Sequence, residues 1–397
     1  MTPKRLSQSE FVALTAMLFA SIAISIDAML PALSIIGQEM SPTDPNRAGL
    51  VIGVFIFGMG IGTLFAGPLS DALGRKPVIL WAFGGYILGA LVAGMAQSLE
   101  LLLLGRLVQG LAVAGPRIAA MAMVRDLYSG DRMASIMSFS MMVFGLVPAI
   151  APSMGQLVMN AFGWRSIFYA LALFATIVSV WMFVRQPETH PPELRKPLRL
   201  SPFKAALKEA FANRVFRYSV AVQTMLYAAL FSVISTIQPI YEQSYDMGET
   251  FPLWFAAMAI LAMPASLINA KIVARLGMRK IVKTALIVQL FLVCAVLIIQ
   301  TLWGLPVWLF FCWVTTIMLL VGFSFGNLNA LAMEPLGHIA GMAASISGAV
   351  STVISAMLSI PVSLSFDGTP RTLVIGVFVY VAIAYTLMQR LGPREIS

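Results

Sequence analysis

Gly67-Pro-Leu-Ser-Asp71-Ala-Leu-Gly74-Arg75-Lys76-Pro77 decides how this chain is read. The stretch is short, charged and turn-forming, and long apolar runs flank it on both sides. Gly74 can adopt a positive φ and Pro77 disfavours helix at Lys76, so the spacing predicts a turn here. Two cations beside an apolar run belong on the cytoplasmic side of a membrane. A fainter copy, Val273-Ala-Arg275-Leu-Gly277-Met-Arg279-Lys280, follows another apolar run, with Gly277 aligned to Gly74 at a distance of 203 residues. An echo at half the chain length marks a duplicated membrane domain.

The composition points the same way. Of 397 residues, 59% are hydrophobic and 11% are charged. A soluble domain carries roughly 25% charged residues, so the expectation is an all-α integral membrane protein. The net charge of +9 comes from cations in short loops between spans. It reports topology rather than a nucleic-acid partner. Cys294 and Cys312 fall inside apolar runs and read as small core residues, not as a disulfide framework. Lys4 and Arg5 precede an apolar run too long for a signal-peptide core, which predicts a first span that is retained.

A span needs about 20 apolar residues. Twelve are expected: 11–36, 48–69, 77–97, 100–124, 134–158, 165–185, 215–241, 252–274, 281–302, 305–331, 338–362 and 371–390. The segment 186–213 differs. It holds Pro187, Pro191 and Pro192, then Arg195, Lys196, Arg199, Lys204 and Lys208. It reads as a cytoplasmic linker with a short amphipathic helix over 202–211. The expected organisation is a six-helix bundle over 1–185, the linker over 186–213, and a second six-helix bundle over 214–397. With both termini inside, inner segments hold 21 of the 26 Lys and Arg residues. The outer loops hold Arg47, Arg165 and Arg371, and this bias sets the orientation. A second echo, Arg132-Met-Ala-Ser-Ile-Met-Ser against Gly341-Met-Ala-Ala-Ser-Ile-Ser, lies 209 residues apart. Two related bundles imply pseudo-symmetric halves that rock about a central cavity.

Small residues mark close helix contacts. Gly58, Gly62 and Ala66 form one small-residue face in span 2. Pro148 and Pro152 in span 5 remove backbone donors and predict a kink. They serve either close packing or domain motion.

Of 17 acidic residues only Asp27 lies deep in a span. An ionised carboxylate at mid-membrane costs about 2.5–3.5 kcal/mol even on the lenient scale, so packing alone does not explain it. It is a proton carrier, an anion for a cation, or the partner of a buried Arg. Arg106 is the candidate partner. At about 1.5 Å per residue the two lie within roughly 5 Å in membrane depth. Burial disfavours the charged form of Asp27 and a neighbouring Arg106 favours it. Arg117 is predicted to be a second buried cation on nearly the same face of span 4. It attracts an electronegative substrate or bonds carbonyls freed by Pro116. Asp71 and Arg75 sit at a span end, where a loop cap suffices to explain them. Met141, Phe144, Tyr227 and Phe231 are candidate substrate contacts or helix packing. Asn327 and Asn329 are polar candidates that could equally bind backbone.

These motifs resemble the major facilitator superfamily. Gly67 to Pro77 is similar to its loop 2–3 motif, and Arg106-Leu-Val-Gln109-Gly110 to the span 4 motif of proton-driven members. Gly145-Leu-Val-Pro148-Ala-Ile-Ala-Pro152-Ser-Met-Gly155 resembles the antiporter motif of span 5. The usual Gly-Pro pair is here Val147-Pro148 and Ala151-Pro152. Asp27-Ala-Met-Leu-Pro31-Ala-Leu looks like the span 1 motif of twelve-span drug–proton antiporters. Val124-Arg125-Asp126-Leu-Tyr128 and Gly163-Trp164-Arg165-Ser-Ile-Phe168 point to the Bcr/CflA group. The resemblance covers the chain and is stronger in its first half. It implies a monomer in the bacterial inner membrane that uses no cofactor. It also implies that Asp71, Gly74 and Arg75 form a latch against span 11.

The chain lacks H-E-x-x-H, G-x-S-x-G and a glycine-rich nucleotide loop, and has only His190 and His338. A hydrolase, a metal centre or an ATP-driven pump is therefore not expected. The expected function is proton-coupled export of small, largely apolar drugs by alternating access, with Asp27 as proton carrier. Efflux of a sugar, amino acid or siderophore is the alternative. Small-molecule substrate, protons and membrane lipid are the expected partners.

Overall fold

The computed structural model describes residues 6–195, 197–198 and 200–392, with the side chains of 200–202 outside the description. Lys4, Arg5, Lys196 and Arg199 lie outside the described residues, as does the Ser201 side chain. Among the described residues all regular structure is helical. The chain divides into two compact units, Met1–Arg199 and Leu200–Ser397.

The first unit contains α1 (Gln8–Asp27), α2 (Leu33–Met40), α3 (Leu50–Leu73), α4 (Arg75–Gly94), α5 (Leu99–Leu127), α6 (Gly130–Phe162) and α7 (Arg165–Arg185). The second contains α8 (Leu200–Ala212), α9 (Arg214–Gln243), α10 (Phe251–Ala262), α11 (Pro264–Leu276), α12 (Met278–Leu302), α13 (Val307–Met333), α14 (Ala340–Leu364) and α15 (Arg371–Leu391). Among the described residues, eleven segments are long and apolar enough to cross a membrane. One of them, Val307–Leu364, contains both α13 and α14, so the helices match the twelve expected spans in number.

In the first unit glycines let backbones meet. A Cβ added at Gly58 of α3 would lie 2.6 Å from the Leu107 carbonyl of α5. Gly89 of α4 and Gly105 of α5 face each other just as closely. Such contact stabilises helix pairs where lipid offers no hydrophobic drive. In the second unit α9 packs against α13, α14 and α15. An aromatic cluster around Tyr241, Phe251, Trp254 and Phe310 joins α9, α10 and α13. The α8 helix lays Ala206 and Ala210 against Phe216, Leu336 and Ile346 of the same unit.

Several expectations need correction. Span 1 is not continuous. Pro31 has no N–H, and its ring clashes with the carbonyl four residues back, which is Asp27. So α1 stops at Asp27, a 3-10 turn covers Leu30–Ala32, and α2 resumes at Leu33. Span 8 is likewise divided at Met263 and Pro264. Lys76 is helical, because α4 starts at Arg75 and Pro77 falls in its first turn, where a missing donor costs little. Pro148 and Pro152, where a kink is expected, do not break α6, which runs on through both. Both cysteines are free, and Cys312 is exposed rather than part of the core.

The quoted turn is duplicated in geometry. Gly74 has φ 104° and Gly277 has φ 78°, each between two helices. Only a residue without Cβ takes such values freely. The surroundings differ. A Cβ at Gly74 would meet Glu188, whereas a Cβ at Gly277 would meet nothing within 4 Å.

Candidate functional site

Asp27 stands at the last residue of α1, 4% exposed. Among the described residues its carboxylate has no hydrogen-bond or ion-pair partner. The helix break explains the polar groups around it. Met29 N–H turns to the Ile26 carbonyl at 3.4 Å, one residue short of the helical acceptor. The Ser25 carbonyl is thereby left without its helical donor.

Arg106 takes that carbonyl. Its Nη2 donates to Ser25 O at 3.1 Å, its Nε to Val51 O at 3.0 Å, and its Nη1 to Gln109 Oε1 at 3.2 Å. The guanidinium carbon lies 4.2 Å from the centre of the Phe55 ring and 6.0 Å from that of Phe168. Arg106 is fully buried. Oxygen acceptors and aromatic faces stabilise its charge in place of a carboxylate. Of the alternatives open for Asp27, an ion pair with Arg106 is not formed here. Equal depth did not bring the two into contact, because the broken helix offers Arg106 a carbonyl instead.

Arg117 needs a second correction. It is exposed, and among the described residues it has no hydrogen-bond or ionic partner. Eleven residues of α5 keep it near the angular position of Arg106, but its level along the helix is not covered. Met141 is exposed and Phe144 half-buried on α6.

In the second unit Tyr227 stacks on Phe231, with ring centres 5.5 Å apart and planes 3° apart. Phe325 of α13 meets Tyr227 edge-on at 4.2 Å. Asn327 is buried and donates to Asn269 Oδ1 at 2.9 Å and to the Phe323 carbonyl at 2.8 Å. Its amide hydrogens are engaged within the protein. Asn329 accepts from Gln223 at 3.3 Å.

At the α3–α4 turn Arg75 is the centre of a network. Its Nε donates to Asp126 Oδ2 at 3.0 Å and its Nη1 to Ser70 Oγ at 3.1 Å, and Asp71 also accepts from Nη1. Asp126 belongs to the last turn of α5. In the sequence Asp126 stands out only within a family motif. Glu188 was not expected here; its two carboxylate oxygens accept the backbone N–H of Arg75 and Lys76 at 3.0 and 3.1 Å. Nor were Ser25 and Tyr86. The available signals were weak: a carboxylate just after a span, and single hydroxyls inside apolar runs.

The sequence model of the Major Facilitator Superfamily matches residues 13–360. The chain belongs to that superfamily. Among its relatives is a bicyclomycin resistance protein homolog of Haemophilus influenzae, 28% identical over 373 residues and covering 90% of each chain. Another is the multidrug resistance protein MdtL of Klebsiella pneumoniae, 25% identical over 386 residues, with 94% of this chain and 93% of the relative covered. Solved structures share the fold of this facilitator. A D-xylose-proton symporter aligns with TM-score 0.77 at 11% identity, covering 97% of this chain and 98% of its own. The human organic anion transporter MFSD10 aligns with TM-score 0.67 at 18% identity, covering 97% of this chain and all of its own.

Proposed function

We propose that this facilitator exports small, largely apolar drugs in exchange for protons, with Asp27 as the proton carrier. The observation that carries the reading is the unpartnered Asp27 carboxylate, 4% exposed at the end of a broken helix. A neutral carboxyl suits apolar surroundings, and an ionised one attracts a cation or water. Proton and substrate can then exclude one another at one site, as exchange requires. The names of the bicyclomycin and multidrug resistance relatives support the drug class.

In this reading Arg106 tunes the Asp27 region from α5. Met141, Phe144 and Arg117 of the first unit, and Tyr227 and Phe231 of the second, contact substrate. Asn327 is the weaker candidate because its amide is engaged. Asp71, Gly74 and Arg75 gate, and Pro148 and Pro152 shape α6 for motion. The linker 186–213 and both termini are cytoplasmic.

Proteoliposomes with ΔpH as the only driving force and bicyclomycin as the probe test the mechanism. Wild type concentrates the drug against a gradient, and Asp27→Asn binds it without concentrating it. Retained accumulation by Asp27→Asn would overturn Asp27 as the carrier.

A further inference from the structure

The carboxylate-bearing turn of α1 is held by three other helices of the first unit. Gly155 of α6 lies so close to Ala28 that any Cβ there would overlap the Ala28 carbonyl. Arg106 of α5 takes the Ser25 carbonyl. Tyr86 of α4 takes the Ser25 hydroxyl. Ser25 is fully buried and Tyr86 is 1% exposed, so no water competes for these groups.

Counting protons fixes the direction of the third contact. A serine hydroxyl has one proton to donate. Ser25 gives it to the Ser21 carbonyl one turn back. The Tyr86 hydroxyl must then be the donor to Ser25 Oγ, a role that phenylalanine cannot fill. Residues two apart on a helix point to different faces, so Ser25 reaches Asp27 through the backbone and not by side-chain contact. Both polar groups of Ser25 are thus committed, one to α4 and one to α5. Two residues later comes the carboxyl that the helix break leaves without a partner.

We propose that Tyr86 is a positioning residue for proton coupling. By donating to Ser25 it holds the last turn of α1 in register with Arg106, and so holds the Asp27 carboxyl where it exchanges its proton. Without that donor the turn slides or frays. The inference rests on the reading of Asp27 as proton carrier. The role belongs to the hydroxyl alone, since the Tyr86 ring can be kept by phenylalanine.

The experiment uses the full chain in proteoliposomes, bicyclomycin as probe and a fixed ΔpH. Tyr86→Phe lowers the maximal transport rate about five-fold, the value of one lost hydrogen bond, while the Kd for bicyclomycin moves by less than about two-fold. Ser25→Ala does the same, the double variant is no slower than either single one, and Ser25→Thr retains the rate. Amide hydrogen exchange over residues 24–33 is faster in Tyr86→Phe than in wild type. An unchanged maximal rate in Tyr86→Phe, additive losses in the double variant, or a parallel loss of affinity and rate would each overturn the role. If Asp27→Asn still accumulates drug, the carrier reading has failed by itself. Unchanged exchange over 24–33 in Tyr86→Phe would then dispose of the positioning role independently.

Discussion

Glu188 accepts the backbone N–H of Arg75 at 3.0 Å, across 113 residues of sequence. The same carboxylate accepts from Lys76 N–H and from the amides of Thr189 and His190 at 2.9 Å each. Thr189 Oγ1 donates to Asp126 at 3.1 Å, and Asp126 also receives Arg75. The segment after α7 is therefore fastened to the α3–α4 turn. The carboxylate caps a helix start, where free N–H groups and the helix dipole favour negative charge. Among the described residues no carboxylate caps the matching turn at Gly277, where Arg279 Nη1 instead donates to the Gly392 carbonyl at 3.1 Å. There Ala274 and Met278 stand in register with Asp71 and Arg75. The turn recurs without its carboxylate clasp.

Glu188→Gln keeps the shape and removes the charge. It is expected to cost about 0.5–2 kcal/mol of stability, the range of a helix cap. Amide exchange at Arg75 and Lys76 should accelerate, and trypsin should cut faster at Arg195. Unaltered exchange at those two amides would show that the carboxylate does not hold the turn.

Asp71 and Asp126 both pair with Arg75 but are not equivalent. The Arg75 side chain is 7% exposed, Asp126 21% and Asp71 52%. A well-exposed pair contributes about 0–1 kcal/mol. A charge-assisted bond to a covered guanidinium contributes about 1.5–3 kcal/mol. Asp126→Asn should therefore lower the melting temperature more than Asp71→Asn. It should also shift spin-label distances among the helix ends around this turn more strongly. Equal effects from the two variants would argue against this ranking.

Two glycines of α6 give opposite expectations. A Cβ at Gly155 overlaps the Ala28 backbone, while one at Gly145 meets nothing within 4 Å. Gly155→Ala must push α1 and α6 apart, an overpacking cost of about 1–3 kcal/mol. Gly145→Ala should be neutral or stabilise by up to about 1 kcal/mol, the helix preference of Ala over Gly. Thermal unfolding in detergent checks both, and a harmless Gly155→Ala would contradict the contact.

Orientation can be read by thiol labelling in intact cells. Exposed Cys312 requires a background in which Cys294 and Cys312 are both Ser. In that background Leu198→Cys, at a site 55% exposed, should resist a membrane-impermeant reagent. Trp303→Cys, at a site 78% exposed in an expected outer loop, should react readily. The reverse pattern would invert the topology.

The membrane fold was legible in the sequence, because span length and charge bias are properties of consecutive residues. Both glycine turns were legible for the same reason, as was Asp27, the one buried acid among the described residues. The α1 break at Asp27 was legible in principle, since Pro31 stands four residues on and excludes that carbonyl. The partners of these residues were not. Depth counting placed Arg106 level with Asp27, but which acceptor a guanidinium finds depends on lateral helix packing and on which carbonyl a break releases. Angular counting joined Arg117 to Arg106, but coverage of a helix face depends on where neighbouring helices lie at each level. Glu188, Asp126, Tyr86 and Ser25 acquired their contacts through chain separations of 51 to 113 residues. Local pattern carries no record of such pairings. The sequence by itself determined the number of crossings and the residue types held within them. The tertiary structure decided which polar groups meet, because in an apolar interior each buried donor and acceptor takes the partner that packing brings within reach.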